Sequence, residues 1–151
     1  MVKELLRTRL SKIMTTILCI DDDPRVLEGQ KALLEGKGYK VLIAFDGATG
    51  IEMSRKNSVD AIVLDFNMAG MDGNQVAATL MKEQPNLPVV IRSGSFVDIP
   101  ESLKWYADAL LEKGDRPENL LLVIEELIAL SGTPKKHSRS GTVRTSQQRT
   151  A

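Results

Sequence analysis

Short unbroken apolar runs alternate along this chain with longer stretches in which apolar residues recur every three or four positions. The runs are Ile17-Leu18-Cys19-Ile20, Val41-Leu42-Ile43-Ala44, Ala61-Ile62-Val63-Leu64, Val89-Val90-Ile91 and Ala109-Leu110-Leu111. Continuous apolarity over so few residues predicts strands buried on both faces. The intervening stretches predict helices. Pro24 suits a first helical turn because it has no N–H to lose, and Asp23 before it is an expected N-cap. Val26, Leu27, Gln30, Leu33 and Leu34 follow with helical spacing until Gly36 and Gly38. Further helices are expected over Ala48–Lys56, Asn74–Gln84, Pro100–Ala107 (with Trp105 and Tyr106 as packing residues) and Pro117–Leu130. Five β-α units in succession predict an α/β fold: a five-stranded parallel sheet, helices on both faces, joined by right-handed crossovers.

The two ends break this pattern. Before Met14, Val2, Leu5, Leu6, Leu10 and Ile13 lie at roughly helical spacing among basic residues. A short amphipathic helix touching a membrane or partner would fit; a frayed extension over 1–14 is the plainer expectation. After Thr133, Ser, Thr, Gln, Arg and Lys dominate and little apolar remains, so 132–151 is expected to be a basic disordered tail flanking a domain at 15–131. Charge follows the same division. Residues 1–16 carry +3 and 133–151 carry +5, which leaves −8 on 17–132 in a chain of zero net charge. An acidic body argues against direct DNA binding by the domain. The single cysteine, Cys19, sits mid-strand and is expected to be an inert buried thiol. No apolar run reaches the roughly 18 residues of a membrane span, and no secretory signal is evident, so a cytoplasmic location is expected.

The chemistry gathers where strands end. Asp21-Asp22-Asp23 closes the first run, Asp65 the third, Ser93-Gly94 the fourth, and Lys113 follows the fifth. The carboxyl edge of a parallel sheet is where α/β proteins bind ligands. Carboxylates converging there repel one another unless a cation joins them. Mg²⁺ suits such a set, since it takes oxygen ligands and completes its shell with water and phosphate. A hydroxyl at Ser93 and an ammonium at Lys113 are groups that a phosphoryl unit wants on its other oxygens. Asp65 could then serve as a nucleophile that forms an aspartyl phosphate.

The acidic pair, the stretch Asp65-Phe66-Asn67-Met68-Ala69-Gly70-Met71-Asp72-Gly73, Ser93-Gly94 and the late Lys113 occur in this order over roughly Thr16 to Ser131. In this the chain resembles a response-regulator receiver domain of two-component signalling, of the stand-alone single-domain type. The resemblance implies a flavodoxin-like doubly wound fold. It implies Asp65 as phosphoacceptor, Asp21, Asp22, Asp65 and the Asn67 carbonyl as Mg²⁺ ligands, Ser93 as the switch hydroxyl and Lys113 as the phosphate-binding amine. It also implies a chain that catalyses only its own phosphoryl transfer and dephosphorylation. There are departures: Ala69 and Gly114 stand where the family has prolines, and Leu110 stands where an aromatic is common, three residues before the lysine.

A haloacid-dehalogenase-like phosphatase is the main alternative, because it too uses an Asp nucleophile with Mg²⁺. It wants a second Asp two residues later on the first strand, where this chain has Asn67 on the third. A flavodoxin-like electron carrier shares the topology, but an evident phosphate-binding loop and flavin-stacking aromatics are missing. His137, the single histidine, lies in the tail, so the phosphoryl group is expected to come from a sensor histidine kinase or phosphotransfer protein. Output is expected through a downstream protein target. The last helix, with Leu120, Leu121, Leu122, Val123, Ile124, Leu127, Ile128 and Leu130, exceeds one core stripe and allows a homodimer.

Overall fold

The computed structural model describes residues 1–131 and 143–144. In chain order the elements are α1 (Val2–Ile13), β1 (Thr16–Ile20), α2 (Pro24–Glu35), β2 (Lys40–Ala44), α3 (Gly47–Lys56), β3 (Ala61–Asp65), α4 (Gly73–Glu83), β4 (Val89–Ser93), a 3₁₀ turn (Phe96–Asp98), α5 (Glu101–Tyr106), β5 (Ala109–Glu112), α6 (Pro117–Leu130) and β6 (Val143–Arg144). The sheet order is β2-β1-β3-β4-β5-β6, and every neighbouring pair is parallel. The chain leaves β1 toward β2 and then returns to build β3, β4 and β5 on the other side. That reversal puts the topological switch between β1 and β3, and the carboxyl edge at such a point is where open α/β sheets bind ligands.

Strand side chains alternate between two cores. Ile17, Cys19, Val63, Val90, Ala109 and Leu111 meet Leu27 and Leu34 of α2 and Leu120, Ile124 and Leu127 of α6. On the opposite face Leu18, Ile20, Ile62, Leu64, Ile91 and Leu110 meet Ile51 of α3, Val76 and Leu80 of α4 and Leu103 of α5. Burial on both faces explains why these strands read as continuous apolar runs rather than alternating ones. Helix starts follow the expected chemistry: Asp23, Asp46 and Asp72 each accept a backbone N–H from the turn that follows them.

Two expectations are corrected. The stretch before Met14 does not fray; it is the helix α1. Among its described side chains, Lys12 reaches the body: its Nζ lies 3.4 Å from Glu125 Oε1 of α6 and over the Tyr39 ring. Trp105 and Tyr106 are not packing residues, being 61% and 54% exposed. α5 has only six residues and Leu103 alone is buried from it, so the helix has too little inward face for either ring. The five expected parallel strands all form, and at the edge of the sheet Val143 and Arg144 add a short pairing with Ala109 and Leu110 of β5. Apart from that pair, the tail expected over 132–151, His137 included, lies outside the described residues. The excess apolarity of α6 is mostly absorbed by packing. Leu120, Leu121, Val123, Ile124 and Leu127 are buried, and Leu122 and Leu130 remain exposed.

Candidate functional site

β1 and β3 run in register, with Ile20 opposite Leu64, so the next residues, Asp21 and Asp65, emerge side by side at the carboxyl edge. Both are buried, at 3% and 2% exposure. Asp22 joins them from the exposed side, and carboxylate oxygens of Asp21, Asp22 and Asp65 lie within 4.8 Å of one another. Each is held by backbone. Asp21 Oδ1 accepts the Asp23 N–H at 2.9 Å, Asp22 Oδ2 accepts the Ala69 N–H at 3.1 Å, and Asp65 Oδ1 accepts the Asn67 N–H at 3.1 Å. Burial pushes the Asp21 carboxyl up to about 6, against the Asp23 hydrogen bond, which favours ionisation, and with help from the Asp65 charge.

The loops after β4 and β5 bring in the other two groups. Lys113 Nζ lies 2.8 Å from Asp65 Oδ1. Its backbone N–H donates to the Ser93 carbonyl at 3.0 Å, which ties the two loops together. Ser93 is fully buried. Its hydroxyl lies 3.1 Å from Asn67 Oδ1 and 2.8 Å from the Ser95 carbonyl, two acceptors for a single proton. Thus Asp21, Asp22, Asp65, Asn67, Ser93 and Lys113, all selected from sequence, come together at one edge.

The loop after Asp65 is built around glycine. A Cβ on Gly73 would lie 2.4 Å from the Phe66 carbonyl oxygen, so the first turn of α4 packs against the residue following Asp65 as only glycine allows. Gly70, at φ +87°, takes the left-handed turn between them.

One residue of the site was not singled out from sequence. Arg92 pairs in register with Asp65, and its Nη1 lies 3.6 Å from Asp21 Oδ2. A guanidinium closing an otherwise apolar run was the available signal. Beneath it the Cys19 thiol is pushed up to about 12, chiefly by burial, which keeps it an unreactive thiol.

The model of the response regulator receiver domain family matches residues 17–125. The chain belongs to that family. Receivers are the signal-accepting domains of two-component systems, and the architecture and acidic edge described above are theirs. Among curated relatives, the transcriptional regulatory protein GlrR of Escherichia coli K12 is 32% identical over 117 residues, covering 76% of this chain and 26% of the relative. The response regulator MprA of Mycobacterium leprae is 34% identical over 114 residues, covering 74% of this chain and 50% of the relative. The chain therefore spans a quarter to a half of the length of these relatives. Among solved structures, a receiver domain from Clostridium thermocellum superposes with TM-score 0.73 at 27% identity, over 79% of this chain and 98% of the other. The response regulator TrrA of Thermotoga maritima, crystallised with Mg²⁺ and beryllofluoride, superposes with TM-score 0.71 at 24% identity, over 76% and 99%. Nothing in these similarities supports the phosphatase alternative. Among the described residues, no helix is long and apolar enough to cross a membrane.

Proposed function

We propose that this receiver takes a phosphoryl group onto Asp65 from a histidine kinase or phosphotransfer protein and passes the signal on by protein contact. The observation that carries this reading is the setting of Asp65: a buried carboxylate whose Oδ1 is held by Lys113 and the Asn67 N–H, beside two further carboxylates.

Both described hydrogen-bonding partners of Asp65 fall on Oδ1, which leaves Oδ2 as the nucleophile. Its lone pair forms the new O–P bond as the P–N bond of a phosphohistidine donor breaks, and the imidazole leaves with the electron pair. Lys113 compensates negative charge on the phosphoryl oxygens. Ser93 donates its proton to one of them, and in doing so gives up its bonds to Asn67 and Ser95. That exchange pulls the β4 loop toward Asp65, and the Lys113–Ser93 backbone bond carries the β5 loop with it. The three carboxylates suit a hard divalent cation, because all are oxygen donors and their mutual repulsion needs one. Asp22, Asp65 and the Asn67 carbonyl would hold Mg²⁺ directly and Asp21 through water. When bound, the ion supplies positive charge between the carboxylates and the phosphoryl oxygens.

Leu110 is fully buried in the core beneath β4 and β5. The switch in this chain therefore works through Ser93 and its loop, without an aromatic ring moving into the space that Ser93 vacates. The surface expected to change is that of the β4 and β5 loops and α6, and it is where a downstream protein would dock. The experiment is labelling with acetyl phosphate in the presence of Mg²⁺. One base-labile phosphate per chain, lost in Asp65→Asn, is the expected result; undiminished label in that variant refutes the assignment.

A further inference from the structure

Arg92 is a charged side chain in the middle of a buried sheet edge. The β4 positions before it, Val89, Val90 and Ile91, are at most 1% exposed. The side chain itself is 16% exposed, and its Nη1 is buried with no hydrogen-bond acceptor among the described residues. Its charged neighbour is Asp21, whose side chain is 4% exposed and whose Oδ2 lies 3.6 Å from Nη1, beyond hydrogen-bonding distance. A guanidinium stays charged at any working pH. Leaving one buried is costly unless an anion compensates it. Asp21 does so through charge alone, in a pair held loosely enough to part.

The site thus has two internal cations for its three carboxylates: Lys113 on Asp65 and Arg92 on Asp21. Their roles differ. Lys113 contacts the proposed nucleophile and is in place for the phosphoryl group. Arg92 contacts the carboxylate proposed to reach a cation only through water. A divalent ion entering among Asp21, Asp22 and Asp65 would meet a fixed positive charge already facing one of them. We propose that Arg92 is a built-in competitor for the divalent cation: it neutralises Asp21 in the metal-free receiver and thereby raises the Mg²⁺ concentration needed to occupy the site. This rests on the proposed cation site, and it makes Arg92 a positioning residue for Asp21 rather than a catalytic one.

The test is calorimetric titration of the chelator-treated full chain with MgCl₂ at pH 8 and fixed ionic strength, for wild type, Arg92→Gln and Arg92→Lys. Coulomb repulsion between an arginine and a divalent ion a few ångströms apart, screened by a partly wet site, predicts roughly tenfold tighter Mg²⁺ binding for Arg92→Gln. Arg92→Lys keeps the charge and should stay within about threefold of wild type. The Mg²⁺ concentration for half-maximal labelling by acetyl phosphate should fall in parallel in Arg92→Gln. Thermal melting with and without Mg²⁺ supplies a second readout: Arg92→Gln should gain more from added Mg²⁺ than wild type does. If Mg²⁺ binds wild type and Arg92→Gln equally, or binds the variant more weakly, the inference is wrong while the cation site stands. If neither protein binds Mg²⁺, both fall. Loss of labelling in Arg92→Gln at unchanged Mg²⁺ affinity would also overturn it, because Arg92 would then act on the phosphoryl group. Should Arg92→Gln fail to fold, the uncharged Arg92→Met, which keeps an unbranched stem, is titrated instead, with the same expectations.

Discussion

Asp21 shows how burial at a strand end becomes a measurable property. Its carboxyl is pushed up from 3.8 to about 6, chiefly by burial. The folded state therefore keeps this proton where the unfolded chain has lost it. The stability contributed by the protonated group is fully present below about pH 4 and is lost as pH rises to about 6, by of order 1–3 kcal/mol. Urea unfolding of the metal-free protein should show a fall across that window relative to Asp21→Asn, whose amide has no proton to lose and whose Oδ1 can still accept the Asp23 N–H. Parallel profiles for the two proteins would mean that Asp21 is ionised throughout. Gly73 gives a second expectation at this scale. Gly73→Ala places a methyl 2.4 Å from a backbone oxygen, where no side chain can swing aside, so it should cost roughly 1–3 kcal/mol in thermal or urea unfolding. No loss of stability would show that the Asp65 loop shifts freely. The acids, Ser93 and Lys113 were legible in the sequence because each stands at the end of an apolar run, where a parallel sheet exposes its edge. Arg92 was not, because a single charge closing a run reads only as the end of a strand. Its contact with Asp21 depends on register between β1, β3 and β4, which periodicity does not supply.

Among the elements, the strands were legible almost to the residue, since burial on both faces leaves an unmistakable apolar run. Helices that cover those faces were legible from spacing, and α2 also from its Asp23 cap. What failed were elements whose existence depends on something other than an apolar stripe meeting the core. α1 has the spacing of a helix, yet Val2, Leu5, Leu6 and Leu10 are more than half exposed and its polar anchor, Lys12, cannot be read as one from sequence. β6 pairs with β5 in a stretch whose sequence has few apolar residues for periodicity to reveal. α5 contains aromatics that look inward by composition, but at six residues it has room for one buried leucine. The polar anchorage of α1 has an energetic consequence. A half-exposed ion pair is worth up to about 1 kcal/mol and the cation–π contact with Tyr39 a similar amount, so removing residues 1–12 should lower stability by no more than about 2 kcal/mol in urea unfolding. A loss several times larger would show that the apolar face of α1 packs against the body in solution.

At the scale of the whole molecule, the proposed function makes the parallel sheet, the switch point between β1 and β3 and the two tied loops the route by which a change at Asp65 would be felt at α6. Amide exchange with and without beryllofluoride should show new protection at residues 93–97 and 115–130. In Ser93→Ala the distal part of that protection should be lost while the site still binds the mimic. Protection confined to the Asp65 loop in the wild-type chain would sever the proposed route. The most direct measurement addresses the covalent step itself. After incubation with acetyl phosphate, borohydride reduces an aspartyl phosphate to homoserine, and peptide mass mapping locates it. The account predicts homoserine at position 65 and nowhere else, dependent on Lys113 and absent after chelation of divalent cations. Homoserine at Asp21 or Asp22, or a phosphate ester on Ser93 with position 65 unmodified, would contradict it.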